Sequence, residues 1–173
     1  MQHWQEVKPE AFIANPFVLI GQEWMLVTAR KGSQVNTMTA SWGGLGVMWG
    51  ENVAFVVIRQ SRHTKGFVDA ADHFSLTFFP EGYRKTLNYL GTVSGRDENK
   101  IKKSGLTIVD YDSVPCFAEA NRAILCRKLF AQPYDPAAFL DPLVSACYPK
   151  QDYHTLYIGA IEKILLKADE PAY

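Results

Sequence analysis

The stretch RQSRHTKGFV, residues 59–68, places Arg59, Arg62, His63 and Lys65 close together, with Ser61 and Thr64 between them. A phosphate monoester carries up to about two negative charges and three acceptor oxygens, and it is met by guanidinium forks, an ammonium, hydroxyls and the first amides of a helix. This stretch offers all four kinds of group. Ser61 or Thr64 stands where it would cap a helix beginning near Lys65, aiming that helix's positive end at the turn. Each charge-assisted hydrogen bond contributes about 1.5 to 3 kcal/mol when partly desolvated, so a few together anchor a ligand. The alternative is a solvated basic turn followed by an ordinary capped helix.

A second stretch, VNTMTASWGGLGVMWG, sets Asn36, Thr37, Thr39 and Ser41 among Met38, Ala40 and Trp42 in a strand that dissolves into glycines. A purely structural strand more often alternates Val or Ile with polar residues. This one leaves room for a flat ligand against the backbone and offers hydroxyls and amides at its edge. Its bland alternative is a weak edge strand with a Gly-rich loop. In a third stretch, GTVSGRDENK, a Ser94–Gly95 turn is followed by Arg96 and Lys100, which is also what a helix end and a charged turn would supply.

These residues need a scaffold. FVLIG, WMLVTAR, VNTMTASWG and NVAFVVI are short strand-like runs at close intervals, the pattern of an antiparallel sheet. TKGFVDAADHF reads as a short helix, FSLTFF as a strand, and GYRKTLNYLG as a helix ended by Gly91. LTIVD and AEANRAILCRKLFAQ return to strand character. In HTLYIGAIEKILLKA the β-branched and aromatic residues favour a strand, with Gly159 permitting a bulge. The Pro-rich segment QPYDPAAFLDPLVSACYPKQD reads as a loop with one helical turn, a lid or partner-contact arm. Strands outnumber the irregularly placed helices, so an antiparallel barrel with peripheral helices is favoured over a doubly wound fold.

Eighteen basic residues balance eighteen acidic ones in 173, which argues against the broad basic face that holds nucleic acid and for a pocket that takes a small anion. The length suits one domain over residues 1–173, burying roughly two thirds of its unfolded surface. The N-terminal stretch carries Glu6, Lys8 and Glu10 and lacks the uninterrupted apolar run of a signal peptide or membrane span, so a cytoplasmic protein without membrane contact is expected. Cys116, Cys126 and Cys147 lack metal or redox spacing and read as reduced thiols; with His3, His63, His73 and His154 scattered, no metal site is expected. No nucleophile–His–carboxylate set stands out, so no catalytic side chain is assigned, and GGLG lacks the spacing of a dinucleotide fingerprint.

The order NTMTASWG, RQSRHTKGFV, GTVSGRDENK, HTLYIGAIEKI resembles the flavin reductase-like, FMN-binding split-barrel family that includes flavoredoxin, over about residues 15–167. The resemblance implies a mainly β fold, a six-stranded antiparallel Greek-key split barrel with peripheral helices, usually a homodimer with FMN near the subunit interface. It places Asn36, Thr37, Met38, Thr39, Ala40, Ser41 and Trp42 along the isoalloxazine ring. Arg59, Ser61, Arg62, His63, Thr64 and Lys65 fall at the phosphate, and Ser94, Gly95 and Lys100 near the flavin. The family often shows Gly-Glu where this chain has Gly159–Ala160, so His154, which opens that strand, is a flavin contact or simply a hydrogen-bonded residue at a strand start.

Flavin carries the redox chemistry in such a protein, which need only bind it, orient N5 toward a donor and set the charge near N1 and O2. Backbone amides of residues 36–42 are the candidates for tuning N5 and O4. Three classes follow: a reductase passing hydride from NAD(P)H to flavin, an FMN-holding electron carrier reduced by a partner protein, and a redox-silent flavin-binding module. Trp42, Trp49, Tyr134, Phe139 and Tyr148 exceed the apolar surface that loops usually expose. They are expected either to cover the flavin across a homodimer interface or to pack within their own chain.

Overall fold

The strands are β1 (Trp4–Val7), β2 (Met25–Lys31), β3 (Gln34–Ala40), β4 (Gly43–Met48), β5 (Glu51–Arg59), β6 (His73–Phe78), β7 (Ile108–Tyr111), β8 (Val114–Phe117), β9 (Arg122–Pro133) and β10 (His154–Lys167). The helices are α1 (Pro16–Val18), α2 (Lys65–Ala70), α3 (Arg84–Thr92), α4 (Lys100–Ser104) and α5 (Pro142–Ala146). This computed structural model describes residues 4–167; His3, Ala168 at the end of the last strand-like run, and both ends of the expected 1–173 domain lie outside them.

One eight-stranded antiparallel sheet runs in the order β3-β2-β6-β9-β10-β5-β4, with β1 added to β10. Its two ends, β3 and β4, are joined by only Ser41 and Trp42 yet do not pair with each other, so the sheet curls into a barrel left open along one seam. Eight strands replace the expected six. β1 lengthens the sheet by pairing with the far half of β10, and the glycine-rich β4 pairs with β5 from Gly43↔Val56 to Met48↔Glu51. Backbone pairing to a strong neighbour overrides the poor strand propensity of GGLG. β7 and β8 form a separate two-stranded ribbon.

Two further expectations give way. FVLIG is helical: Asn15 accepts the amide of Phe17 at 3.0 Å, Pro16 opens α1, and a wider helical turn, Leu19–Glu23, continues it. An Asn cap followed by Pro outweighs the strand preference of Val and Ile here. Gly91 does not end α3 but lies within it, because α3 passes close to β3: a Cβ there would sit 3.1 Å from the Thr39 Cβ. The long final strand is as expected, with a register shift between Ile158 and Gly159.

The barrel interior is filled by Met25, Val27, Ile58, Phe74, Leu76, Ile124 and Tyr157, with Phe67 and Val68 of α2 closing one end. Each such large side chain contributes about 1.5 to 3 kcal/mol when fully buried. A second cluster, Leu26, Phe79, Leu87, Leu90, Ile101, Leu106 and Phe117, lies outside the barrel where α3 and α4 cover the sheet. β2 is therefore buried on both faces, which explains its unbroken apolar start. That second cluster fixes α3 and α4 against β3 and so positions the loop between them. No helix among the described residues is long and apolar enough to cross a membrane.

Candidate functional site

β5 ends at Arg59, and the chain turns tightly before α2: the amide of Arg62 donates to the Arg59 carbonyl at 3.0 Å and that of Lys65 to Arg62 at 3.1 Å. Across from this turn lies the 93–99 loop between α3 and α4. The turn, the loop and β3 enclose a hollow of about 150 Å³ lined by Ser61, Arg62, His63, Ser94, Arg96 and Lys100, with Met38 at its floor and no Asp or Glu in its wall. The three stretches singled out in the sequence thus meet at one place.

The cations are fixed by carbonyls, and no Asp or Glu among the described residues pairs with them. Arg62 donates to the Gly91 carbonyl at 3.1 Å and Arg96 to the Ser61 carbonyl at 2.9 Å. Lys100 is 4% exposed, and its ammonium donates to the Leu90 and Val93 carbonyls at 2.7 and 3.0 Å. Burial, assisted by the neighbouring Arg62 charge, lowers its pKa to about 8. Burial together with the charges of Arg96 and Lys100 also holds His63 below the usual imidazole range. An electropositive hollow whose charges have no carboxylate partner suits an anion. Gly95 is tightly packed at its edge, where a Cβ would sit 2.4 Å from Asn36 Oδ1 and 3.1 Å from the His63 ring.

Met38 and Arg62 also border a second hollow, of about 270 Å³, lined by Thr39, Ala40, Ser41, Trp42, Val57, Arg59 and His154. It lies at the end of β3 beside the open seam, where the Thr39 hydroxyl donates to the Leu87 carbonyl at 2.5 Å. His154 shares a 2.8 Å hydrogen bond through Nδ1 with the Tyr148 hydroxyl, and Trp42 packs at 5.1 Å between ring centroids. Burial and then the Arg59 charge lower the His154 pKa to about 4, so the imidazole is neutral at pH 7. His154 is thus a hydrogen-bonded residue at the start of β10, and it also lines this hollow.

Some of the expected residues turn elsewhere. Thr37 is fully buried in the sheet, bonded to Thr28 at 2.8 Å and to the Val27 carbonyl. Lys65 points away along α2 and pairs with Asp69 at 2.7 Å. Thr64 does line the cationic hollow, but it precedes α2 without capping it, and its hydroxyl accepts from Asn36 Nδ2 at 2.9 Å. The first amides of α2 donate to carbonyls of the turn, Lys65 to Arg62, Gly66 to His63 and Phe67 to Thr64, so they are not aimed at an anion. Side chains, not a helix end, make the hollow positive.

Arg59 is shared between the hollow and the 134–153 arm. It donates to the Asp152 and Cys147 carbonyls at 3.1 and 3.2 Å and lies 5.0 Å over the Tyr148 ring. Asp152 in turn accepts from both the Ser61 hydroxyl (2.5 Å) and amide (3.1 Å). Tyr134, Phe139, Tyr148 and Tyr153 pack on one another and on His154, so these aromatics find partners within their own chain. Trp42 and Trp49 stay 47% and 62% exposed. Arg96 and Asp152 are the residues that motif reasoning passed over. Arg96 was visible as a charge beside Ser94–Gly95, but nothing in the sequence pairs Asp152 with a serine on a distant turn.

A curled antiparallel sheet, open along one seam with a polar hollow at that seam and a cationic one beside it, defines the split-barrel class. The chain belongs to the flavin reductase like domain family, whose model matches residues 18–173. Among solved structures it is similar to an FMN-binding domain of a flavin reductase-like enzyme from Shewanella baltica, at 17% identity and a TM-score of 0.72, covering 96% of this chain and 78% of that one. It is also similar to the flavoredoxin of Methanosarcina acetivorans (20%, TM-score 0.66, 84% and 69%). A Streptomyces globisporus NADH:FAD oxidoreductase, solved with NAD and FAD fragments, is a further neighbour (16%, TM-score 0.62, 86% and 77%). A comparison with curated protein sequences gave no match.

Proposed function

We propose that the chain is a one-domain flavin reductase that holds FMN in the two adjoining hollows and takes hydride from NAD(P)H, working as a homodimer in the cytoplasm. The observation that carries this reading is the junction of a carboxylate-free cationic hollow with a hydroxyl-edged one at the seam, bridged by Met38 and Arg62. Arg62, Arg96, Lys100 and Ser94 would hold the phosphate, and Met38, Thr39, Ala40, Ser41 and Trp42 would border the ring. FMN, when bound, supplies the hydride-accepting centre at N5. His154 stays neutral and fixed by Tyr148, so it offers an uncharged polar edge to the ring hollow. Charge near that hollow comes from Arg59 and Arg62. Neither transfers a proton in this scheme.

The test is an anaerobic titration of the FMN-loaded protein with NADH and with NADPH, read from the flavin absorption. Bleaching by one of them supports a reductase. FMN that binds but stays oxidised with both, yet is bleached by a reduced redox protein, would make the chain an electron carrier, and failure to bind FMN would overturn the site.

A further inference from the structure

Tyr148 lines neither the cationic hollow nor the ring hollow, yet it holds two residues that line the latter. It sits on the 134–153 arm, 5% exposed, stacked on Phe139 with ring centroids 5.6 Å and planes 13° apart. Its face lies 5.0 Å from the Arg59 guanidinium, and its hydroxyl shares the 2.8 Å hydrogen bond with His154 Nδ1. One side chain of the arm therefore places both a cation and an imidazole at the wall of the ring hollow.

The hydrogen bond also fixes the tautomer. The Tyr148 hydroxyl has no other partner among the described residues, so if it accepted a proton from Nδ1 its own buried hydrogen would have no acceptor. With the hydroxyl donating, both groups are satisfied. Burial raises the Tyr148 pKa, so the hydroxyl keeps its proton, and the His154 imidazole is neutral at pH 7. Nδ1 is then the acceptor and Nε2 carries the hydrogen. Arg59 and Arg62 stand in the same wall, and no Asp or Glu lines it.

We infer that Tyr148 is a positioning residue for the flavin site: by donating to His154 Nδ1 and packing against Arg59, it lines the ring hollow with hydrogen-bond donors and positive charge that favour reduced over oxidised flavin. The inference rests on the flavin reading proposed above. Reduction adds negative charge to a ring edge rich in nitrogen and oxygen acceptors, so donors and guanidinium groups already fixed in place bind the reduced form more tightly. A tyrosine that merely packed the arm would leave the choice between the two redox forms untouched.

Tyr148→Phe is the test variant, because it keeps the ring that packs on Phe139 and Arg59 and removes only the hydroxyl. Tyr134→Phe is the control: that ring packs on His154 at 6.4 Å, and its hydroxyl makes no hydrogen bond among the described residues. Nitrogen NMR of the flavin-free wild type is expected to show His154 protonated at Nε2, with Nδ1 a hydrogen-bonded acceptor. In Tyr148→Phe, but not in Tyr134→Phe, the Nδ1 resonance should move to that of an acceptor without a donor. Equilibrium binding of oxidised and of dithionite-reduced FMN is expected to favour the reduced form in the wild type. Tyr148→Phe should cut that preference about tenfold, equivalent to about 30 mV in a two-electron midpoint potential, while changing oxidised-FMN affinity by less than about threefold. A proton on Nδ1 in the wild type overturns the inference, and so does an unchanged redox preference in Tyr148→Phe. Should that variant not fold, the wild-type tautomer decides. The expected nitrogen signals in a protein that binds no FMN support the positioning of His154 and overturn the flavin reading alone.

Discussion

Arg62 and Lys65 look equivalent in the sequence and have different work in the fold. Arg62 faces the cationic hollow, whereas Lys65 is committed to Asp69, which the Tyr157 hydroxyl also reaches at 2.5 Å. Arg62→Ala is expected to weaken FMN binding by about 1.5 to 3 kcal/mol and leave riboflavin affinity unchanged, as read by fluorescence titration. Lys65→Ala should leave FMN affinity intact and cost at most about 0.5 kcal/mol of stability, the worth of an i,i+4 pair. Lys100 adds a pH signature. Its pKa of about 8 lies below the ordinary lysine value of 10.5, so the folded protein binds fewer protons than the unfolded chain between those values. This group therefore makes the fold more stable as pH rises through that window, and it removes a positive charge from the phosphate hollow over the same range. FMN affinity is expected to fall above pH 8, and Lys100→Arg, which keeps its charge, should flatten that fall.

The 134–153 arm and the β5–α2 turn are fastened by Asp152 and Arg59, so the arm acts on the site through the turn and does not form its wall. Asp152→Ala leaves the Ser61 hydroxyl and amide without their acceptor. We expect it to make the arm more sensitive to limited proteolysis and to weaken FMN binding less than Arg62→Ala does. The loop between α3 and α4 is more sterically constrained. At Gly95 an added methyl would overlap Asn36 Oδ1, and at Gly159 it would sit 2.8 Å from the Cys126 Cβ and 2.9 Å from the Phe74 ring. Gly159→Ala is an overpacking change inside the barrel and should cost about 1 to 3 kcal/mol by chemical denaturation, whereas Gly95→Ala should show its main effect as lost FMN affinity.

At the level of the whole molecule, β4 is an edge of the sheet; it carries Val47 at 73% exposure beside Met48, and Trp49, in the turn that follows it, is 62% exposed. An apolar, exposed edge strand is the kind of surface that natural proteins cover. The proposed homodimer would cover it. Sedimentation is expected to give a dimer for the wild type, and Trp49→Glu should shift it toward monomer without changing the circular dichroism of the barrel. A monomeric wild type would remove the interface and with it any contribution of a second subunit to the ring hollow.

Local signals in the chain were enough to reveal the antiparallel strands, the bulge at Gly159, the short α2 and the three stretches that converge on the site, because each is governed by alternation, turn chemistry or charge within a few residues. The helix over 16–23 was legible too, in Asn15 before Pro16, but the Val-Leu-Ile run pointed the other way. Tertiary structure alone decided which cations face the hollow. Lys65 is drawn off by Asp69, and Arg96 is brought in by the packing of α3 and α4 on β3. It also made a strand of GGLG, paired Asp152 with Ser61, and gave His154 both a tyrosine partner and a face on the ring hollow. These contacts join residues tens of positions apart, and their geometry depends on sheet order and seam closure, which no local pattern of residues encodes.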